Sequence, residues 1–135
     1  MLDLLVCDAS ALVEYLLLTN TGKDVANVIE RAEADVHVPA LCDVEVVSAL
    51  RRIMREPGVL ADSRARQAIE DLLDLPMCRH GHEGLVSRAF ALRENMSIYD
   101  GVYVALAEAL EATLITADRA LAAAPMPKGV RVQVF

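Results

Sequence analysis

Four acidic residues occupy comparable places along this sequence: Asp8, Glu45, Asp100 and Asp118. Asp8 closes the apolar run LDLLVC, and Asp118 comes just after the β-branched run TLIT at 113–116. Glu45 falls in the first turn of the helix predicted after VHVPA (36–40), and Asp100 stands near the start of the apolar helix IYDGVYVALAEALEA. Carboxylates gathered without a cation repel one another, and some keep their protons. A hard divalent cation turns that repulsion into attraction, and an all-oxygen ligand set suits Mg²⁺ or Mn²⁺ rather than zinc. Such a site is well matched to phosphodiester hydrolysis, in which two ions about 3.5–4 Å apart activate water and stabilise the leaving oxygen. Ser10 and Thr116 are the nearby hydroxyls, either of which could orient a ligand, a water or a carboxylate.

These residues can act together only if the chain brings them together. LDLLVC reads as a buried parallel strand, followed by a helix capped at Ser10. Gly22 punctuates, and KDVANVIERAEA has apolar residues at helical spacing. VHVPA is a second strand. Asp43 can cap the next helix, which Pro57-Gly58 stops near Glu56. In that helix Val44, Val47 and Leu50 form one stripe and Glu45, Ser48 and Arg52 another. Helices follow at about 62–75 and 83–94, with PMCR (76–79) as a short strand between them. Ser97 precedes the central helix, ADRALAAA gives a helical turn or two, and VRVQVF is a terminal strand. This alternation predicts an α/β domain with a mostly parallel sheet and helices on both faces. Ligands of open parallel sheets bind beyond the carboxyl ends of the strands, where Asp8 and Asp118 are expected.

The 135 residues suit one compact domain, and a hydrophobic fraction of 55% supplies a core. Thirteen basic against twenty acidic residues give a net charge of −7, which argues against nucleic-acid binding through bulk charge. It leaves room for an RNA substrate held through metal ions, which invert the local field. Cys7, Cys42 and Cys78 form no CxxC pair and read as buried free thiols. No basic leader precedes the apolar N-terminus, and no apolar run is long enough for a membrane helix, so the reading is a soluble cytoplasmic protein.

The motifs LLVCDASALV, VPALCDVEVVSALRR and IYDGVYVALAEALEATLITADRAL, with the final VQVF, resemble the PIN-domain ribonucleases, specifically the VapC toxins of prokaryotic toxin–antitoxin pairs. The resemblance spans nearly the whole chain, so residues 1–135 are expected to be one PIN-like nuclease domain. It implies a three-layer α/β/α sandwich and places Asp8, Glu45, Asp100 and Asp118 on the family's acidic quartet. Ser10 and Thr116 fall on its two hydroxyl positions. It further implies Mg²⁺- or Mn²⁺-dependent endonucleolytic cleavage of RNA, often tRNA or ribosomal RNA. Homodimerisation and inhibition by a VapB-type antitoxin are implied as well. Residues 57–95 carry little that is diagnostic.

Each acid also has a plain explanation on its own: Asp8 and Asp100 as helix caps, Asp118 as a turn residue. Their number and order favour the joint reading. His80 and His82 form an HxH pair with no partner ligand close in sequence, and read as loop or surface histidines. Arg51, Arg52 and Arg55, with Arg64 and Arg66, are the main basic concentration, with Arg52–Glu56 pairing as the default and contact with RNA or an acidic antitoxin segment as the alternative. Tyr99 and Tyr103 are expected to pack. Leu16, Leu17 and Leu18 exceed what one helix face needs, so some could meet a partner. A metal-dependent adhesion module is a competing class, but Leu12 stands where its Asp-x-Ser-x-Ser motif needs the last Ser. A receiver domain would want a Lys after the fifth strand, and the lysines are at 23 and 128. A PIN-like scaffold that binds RNA without cutting it is a further alternative.

Overall fold

Three consecutive residues of the first strand, Leu5, Val6 and Cys7, are all buried, as are Leu114, Ile115 and Thr116 near the end of the chain. Side chains alternate across a strand, so burial of neighbours requires cover on both faces of the sheet. The computed structural model, which describes residues 1–135, meets that requirement with a three-layer α/β/α sandwich. Its strands are β1 (Asp3–Cys7), β2 (Ala34–Pro39), β3 (Cys78–His80), β4 (Thr113–Thr116) and β5 (Arg131–Val134). They run in the order β3-β2-β1-β4-β5, and every pairing is parallel.

The helices are α1 (Ala9–Leu16), α2 (Asn20–Ile29), α3 (Leu41–Met54), α4 (Asp62–Asp74), α5 (Val86–Ala91), α6 (Ile98–Leu110) and α7 (Arg119–Ala123). Gly101 to Ala107 of α6 are all buried, and the helix lies along β1, β2 and β4. No helix is long and apolar enough to cross a membrane. The chain builds outward from β1 to β2 and β3, then returns to place β4 and β5 on the other side of β1. The strand order therefore reverses between β1 and β4, where open parallel sheets form a crevice at their carboxyl ends.

Several local expectations are corrected. Asp8, not Ser10, caps α1: its side chain accepts from the Ala11 amide, and Ser10 lies within the helix. Asp43 is not a cap, because α3 already begins at Leu41; its carboxylate instead receives the Arg79 guanidinium at 2.7 Å. The buried stripe of α3 is Cys42, Val46 and Leu50, and Val44 and Val47 are exposed. Gly22 does not break the chain; it sits inside α2, where an added Cβ would strike the Glu14 carbonyl of α1. Cys7 and Cys42 are buried, but Cys78 is exposed. Tyr103 packs in the core, whereas Tyr99 is exposed. Of the leucine run, Leu16 is buried and Leu18 is exposed at a positive φ of 57° that ends α1.

Candidate active site

Asp8 is the fixed point of the crevice. Its amide donates to the Ile115 carbonyl at 3.0 Å, continuing the β1–β4 pairing one step past the strand. Its side chain is buried and takes three donors: Ser10 Oγ at 2.6 Å and the Ala11 amide at 3.0 Å on Oδ1, and Thr116 Oγ1 at 2.5 Å on Oδ2. Ser10 Oγ accepts in turn from the Ala117 amide at 3.0 Å, and Thr116 Oγ1 from the Asp118 amide at 3.0 Å. A hydroxyl has one proton to give. Both protons go to Asp8, so the 3.3 Å approach of Ser10 Oγ to Thr116 Oγ1 is a contact between oxygens already committed elsewhere. The two hydroxyls thus orient a carboxylate and tie the ends of β1 and β4 together.

The other three acids reach the same place from different elements. Asp118 caps α7, accepting from the Ala120 and Leu121 amides at 2.9 and 3.1 Å through Oδ1 alone. Asp100 sits in the first turn of α6, whose cap Ser97 accepts the Asp100 amide at 3.1 Å. Glu45 extends from α3. All four line one cavity of about 420 Å³ together with Ser10, Glu14, Arg52 and Tyr103.

The electrostatics are those of crowded acids. Burial raises the pKa of Asp8 above the ordinary carboxylate value, against the lowering effect of its three donors, and the Asp118 charge adds to the rise. Asp100 is raised by burial and then by Asp118, against a lowering effect of Ser97; Glu45 is raised by burial, against a lowering effect of the nearby Tyr103 hydroxyl, with Asp100 and Asp8 adding to the rise. Glu45 Oε1 is buried without a hydrogen-bond partner. A buried acceptor left unpaired costs roughly 1–3 kcal/mol. An all-oxygen pocket with such an orphan fits a hard divalent cation. The four carboxylates face the cavity at wider spacing than a closed ligand cluster: the one trio of His, Cys, Asp or Glu ligand atoms within 4.8 Å of one another is His37, Cys78 and His80, elsewhere in the fold. That spacing leaves room for water and phosphate oxygens among the ligands, the usual habit of Mg²⁺.

Comparison with known proteins gives this geometry a family. The PIN domain family model matches residues 5–125. The chain belongs to the PIN-domain family. Ribonuclease VapC12 of Mycobacterium tuberculosis is 41% identical over 120 residues, covering 88% of this PIN domain and 90% of that protein. Ribonuclease VapC3 of the same organism is 39% identical over 120 residues, covering 88% and 85%. Among solved structures, PAE2754 from Pyrobaculum aerophilum superposes with a TM-score of 0.70 at 24% identity, over 97% of this chain and 83% of that one. VapBC2 from Rickettsia felis, solved bound to a DNA fragment from its promoter, gives a TM-score of 0.68 at 9% identity over 98% of both chains. At such low identities the two structures speak for the fold alone.

Sequence reasoning placed Asp8, Glu45, Asp100, Asp118, Ser10 and Thr116 at one site; the first five line one crevice, and Thr116 lies buried beneath it, bonded to Asp8. Three polar lining residues, Glu14, Arg52 and Tyr103, stand outside that set. Glu14 lies one helical turn beyond Ser10 on α1, a spacing that could have found it. For Arg52 the default is pairing with Glu56 and the alternative contact with RNA; it makes no ion pair and lines the cavity, two turns along α3 from Glu45. Tyr103 was expected only to pack; its hydroxyl is buried and unpartnered at the cavity wall. No local sequence signal marks that role.

Proposed function

We propose that this PIN domain is a VapC-type endoribonuclease, the toxin of a toxin–antitoxin pair, hydrolysing RNA phosphodiester bonds with Mg²⁺ or Mn²⁺. The observation that carries the reading is the convergence of Asp8, Glu45, Asp100 and Asp118 on one cavity at the reversal of strand order, with Glu45 Oε1 buried and unpaired. These four carboxylates would hold the cation. When bound, it supplies Lewis-acid polarisation of a phosphate oxygen and acidifies a water.

The chain's own groups set the geometry. Ser10, the Ala11 amide and Thr116 lock the rotamer of Asp8 so that the remaining lone pair on Oδ2 faces a fixed direction. Asp118 spends one oxygen on the α7 cap and keeps the other free. Arg52 is the sole cationic side chain lining the cavity and meets the RNA backbone as it enters. Tyr103 closes the inner wall and excludes bulk water. The expected substrate class is structured RNA such as tRNA or ribosomal RNA. The expected partners are a VapB-type antitoxin and a second copy of the chain, and the expected location is the cytoplasm. Residues 1–135 act as one nuclease unit in this reading.

The test is incubation of the purified protein with structured RNA and Mg²⁺ or Mn²⁺, repeated with EDTA and with Asp8→Asn. Cleavage abolished in both controls is the expected result. RNA that is bound but left intact under every metal condition replaces this reading with that of a non-cleaving scaffold.

A further inference from the structure

A second cluster of ligand-type side chains lies on the β2–β3 pair, away from the acidic cavity. His37 is the register partner of Cys78, and His80 lies two residues on from Cys78, so all three side chains leave the same face of the sheet. Their ligand atoms lie within 4.8 Å of one another. His37 Nδ1 and His80 Nε2 are 2.8 Å apart, and His37 Nε2 is 3.0 Å from Asp35 Oδ2. An ionised carboxylate only accepts, so His37 donates its proton through Nε2. The neutral ring then presents a bare lone pair on Nδ1 toward His80.

We propose that His37, His80 and Cys78 form a zinc site, with Asp35 orienting His37 from behind. Two imidazoles and a thiolate are a borderline-to-soft donor set that suits Zn²⁺, in contrast to the oxygen-only cavity. A carboxylate on the far nitrogen of a metal-ligating histidine is the common supporting arrangement. Tetrahedral zinc, at about 2.0–2.1 Å from nitrogen and 2.3 Å from sulfur, holds its donors roughly 3.3–3.6 Å apart. The two nitrogens must therefore separate by a few tenths of an ångström and the sulfur must move inward. Both adjustments fall on β3, a three-residue edge strand on which Cys78 is exposed and His80 half-buried. Binding releases the Cys78 thiol proton, shifts the His80 ring proton from Nε2 to Nδ1, and leaves the fourth position to water.

The site would staple β3 to the sheet. The strand is bonded to β2 alone, and its end holds the start of α3: Ala40 donates to the His80 carbonyl at 2.8 Å, and the Leu41 amide to His82 Nε2 at 2.9 Å. Zinc there stiffens the turn from which α3 departs.

The test is titration of the full, chelator-stripped protein with Co²⁺, read by absorption, and with Zn²⁺, read by calorimetry and thermal melting. One equivalent of Co²⁺ should give a sulfur-to-cobalt charge-transfer band, which the all-oxygen cavity cannot produce. The band should persist in Asp8→Asn and vanish in Cys78→Ser. Zn²⁺ affinity should fall by about 10–100-fold in Asp35→Asn, and Zn²⁺ should raise the melting temperature of the wild type but not of His80→Ala. A missing band, a band surviving in Cys78→Ser, or Zn²⁺ affinity unchanged in His37→Ala overturns the proposal. Because the four cavity acids take no part, either site can fail while the other stands.

Discussion

Asp8 and Asp100 are both acids of one cavity, yet their replacement by asparagine should have different physical consequences. Asparagine caps helices as well as aspartate does, so α1 keeps its start in Asp8→Asn. The amide, however, has one acceptor oxygen where Asp8 uses two, and one of the Ser10 and Thr116 hydroxyls loses its acceptor. The expected result is loss of RNA cleavage together with a stability loss of roughly 1–2 kcal/mol, read by denaturant unfolding. Burial and the Asp118 charge raise the pKa of Asp100, which has only Ser97 to lower it where Asp8 has three donors. A raised acid binds its proton more tightly folded than unfolded, so the stability present at low pH is lost as pH climbs from the ordinary carboxylate value through the raised one. In EDTA the wild-type melting temperature should fall over that interval from about pH 4 upward, and Asp100→Asn should fall less while also losing cleavage. An unfolded Asp100→Asn, or one titrating like wild type, contradicts this assignment. Thr116 extends the logic. It is fully buried, and its valine variant orphans both Asp8 Oδ2 and the Asp118 amide. The cost should be roughly 1–3 kcal/mol per orphaned group, with cleavage reduced and both properties restored in Thr116→Ser.

The element scale shows where sequence patterns are informative and where they are not. The order of strands and helices was legible because β1 and β4 are short apolar runs and the β5 segment alternates, though β3, Cys78–His80, has no apolar pattern; the burial of both faces follows from the lack of alternation in β1 and β4. The acidic quartet was legible because Asp8 and Asp118 follow strand ends and Asp100 sits in the first turn of α6; Glu45, expected in a first turn, lies in the second turn of α3, which starts at Leu41. Less legible was the phase of α3, which has apolar residues on two faces: Cys42, Val46 and Leu50 inward, Val44 and Val47 outward. Only the packing of α3 against its neighbours, α1 and α4 among them, chooses between the stripes, and that is tertiary information. The same holds for His37, whose pairing with His80 depends on the β2–β3 register. Gly22 was misread because a glycine in a helix usually weakens it, whereas here it lets α2 approach α1. Gly22→Ala should therefore destabilise the protein by about 1–3 kcal/mol or more, because the Cβ meets backbone that cannot turn aside. Gly84→Ala, with nothing within 4 Å of its Cβ, should shift the melting temperature little. Equal effects at the two sites would show that the α1–α2 contact is not the constraint.

At the scale of the whole molecule the question is how a chain of net charge −7 engages a polyanion. Its arginines do not form a continuous basic track: Arg66, Arg79 and Arg88 are spent on Asp62, Asp43 and Glu108, and Arg31 on Asp3. Arg52 is the cation left facing the cavity. Attraction must then be local, from the cation the carboxylates would hold and from Arg52 with its unpaired α3 neighbours Arg51 and Arg55, so only a few phosphates are neutralised. Single-stranded nucleic acid loses affinity with salt at a slope of about −0.7 per neutralised phosphate. The half-saturating RNA concentration in single-turnover cleavage should thus rise only gently with KCl at fixed Mg²⁺. Arg52→Ala should raise it several-fold and reduce the slope by about 0.7, one phosphate's worth, leaving the fold intact because the side chain is exposed. A steep wild-type slope would demand a basic surface outside this cavity, and a slope unchanged in Arg52→Ala would place the RNA path away from α3.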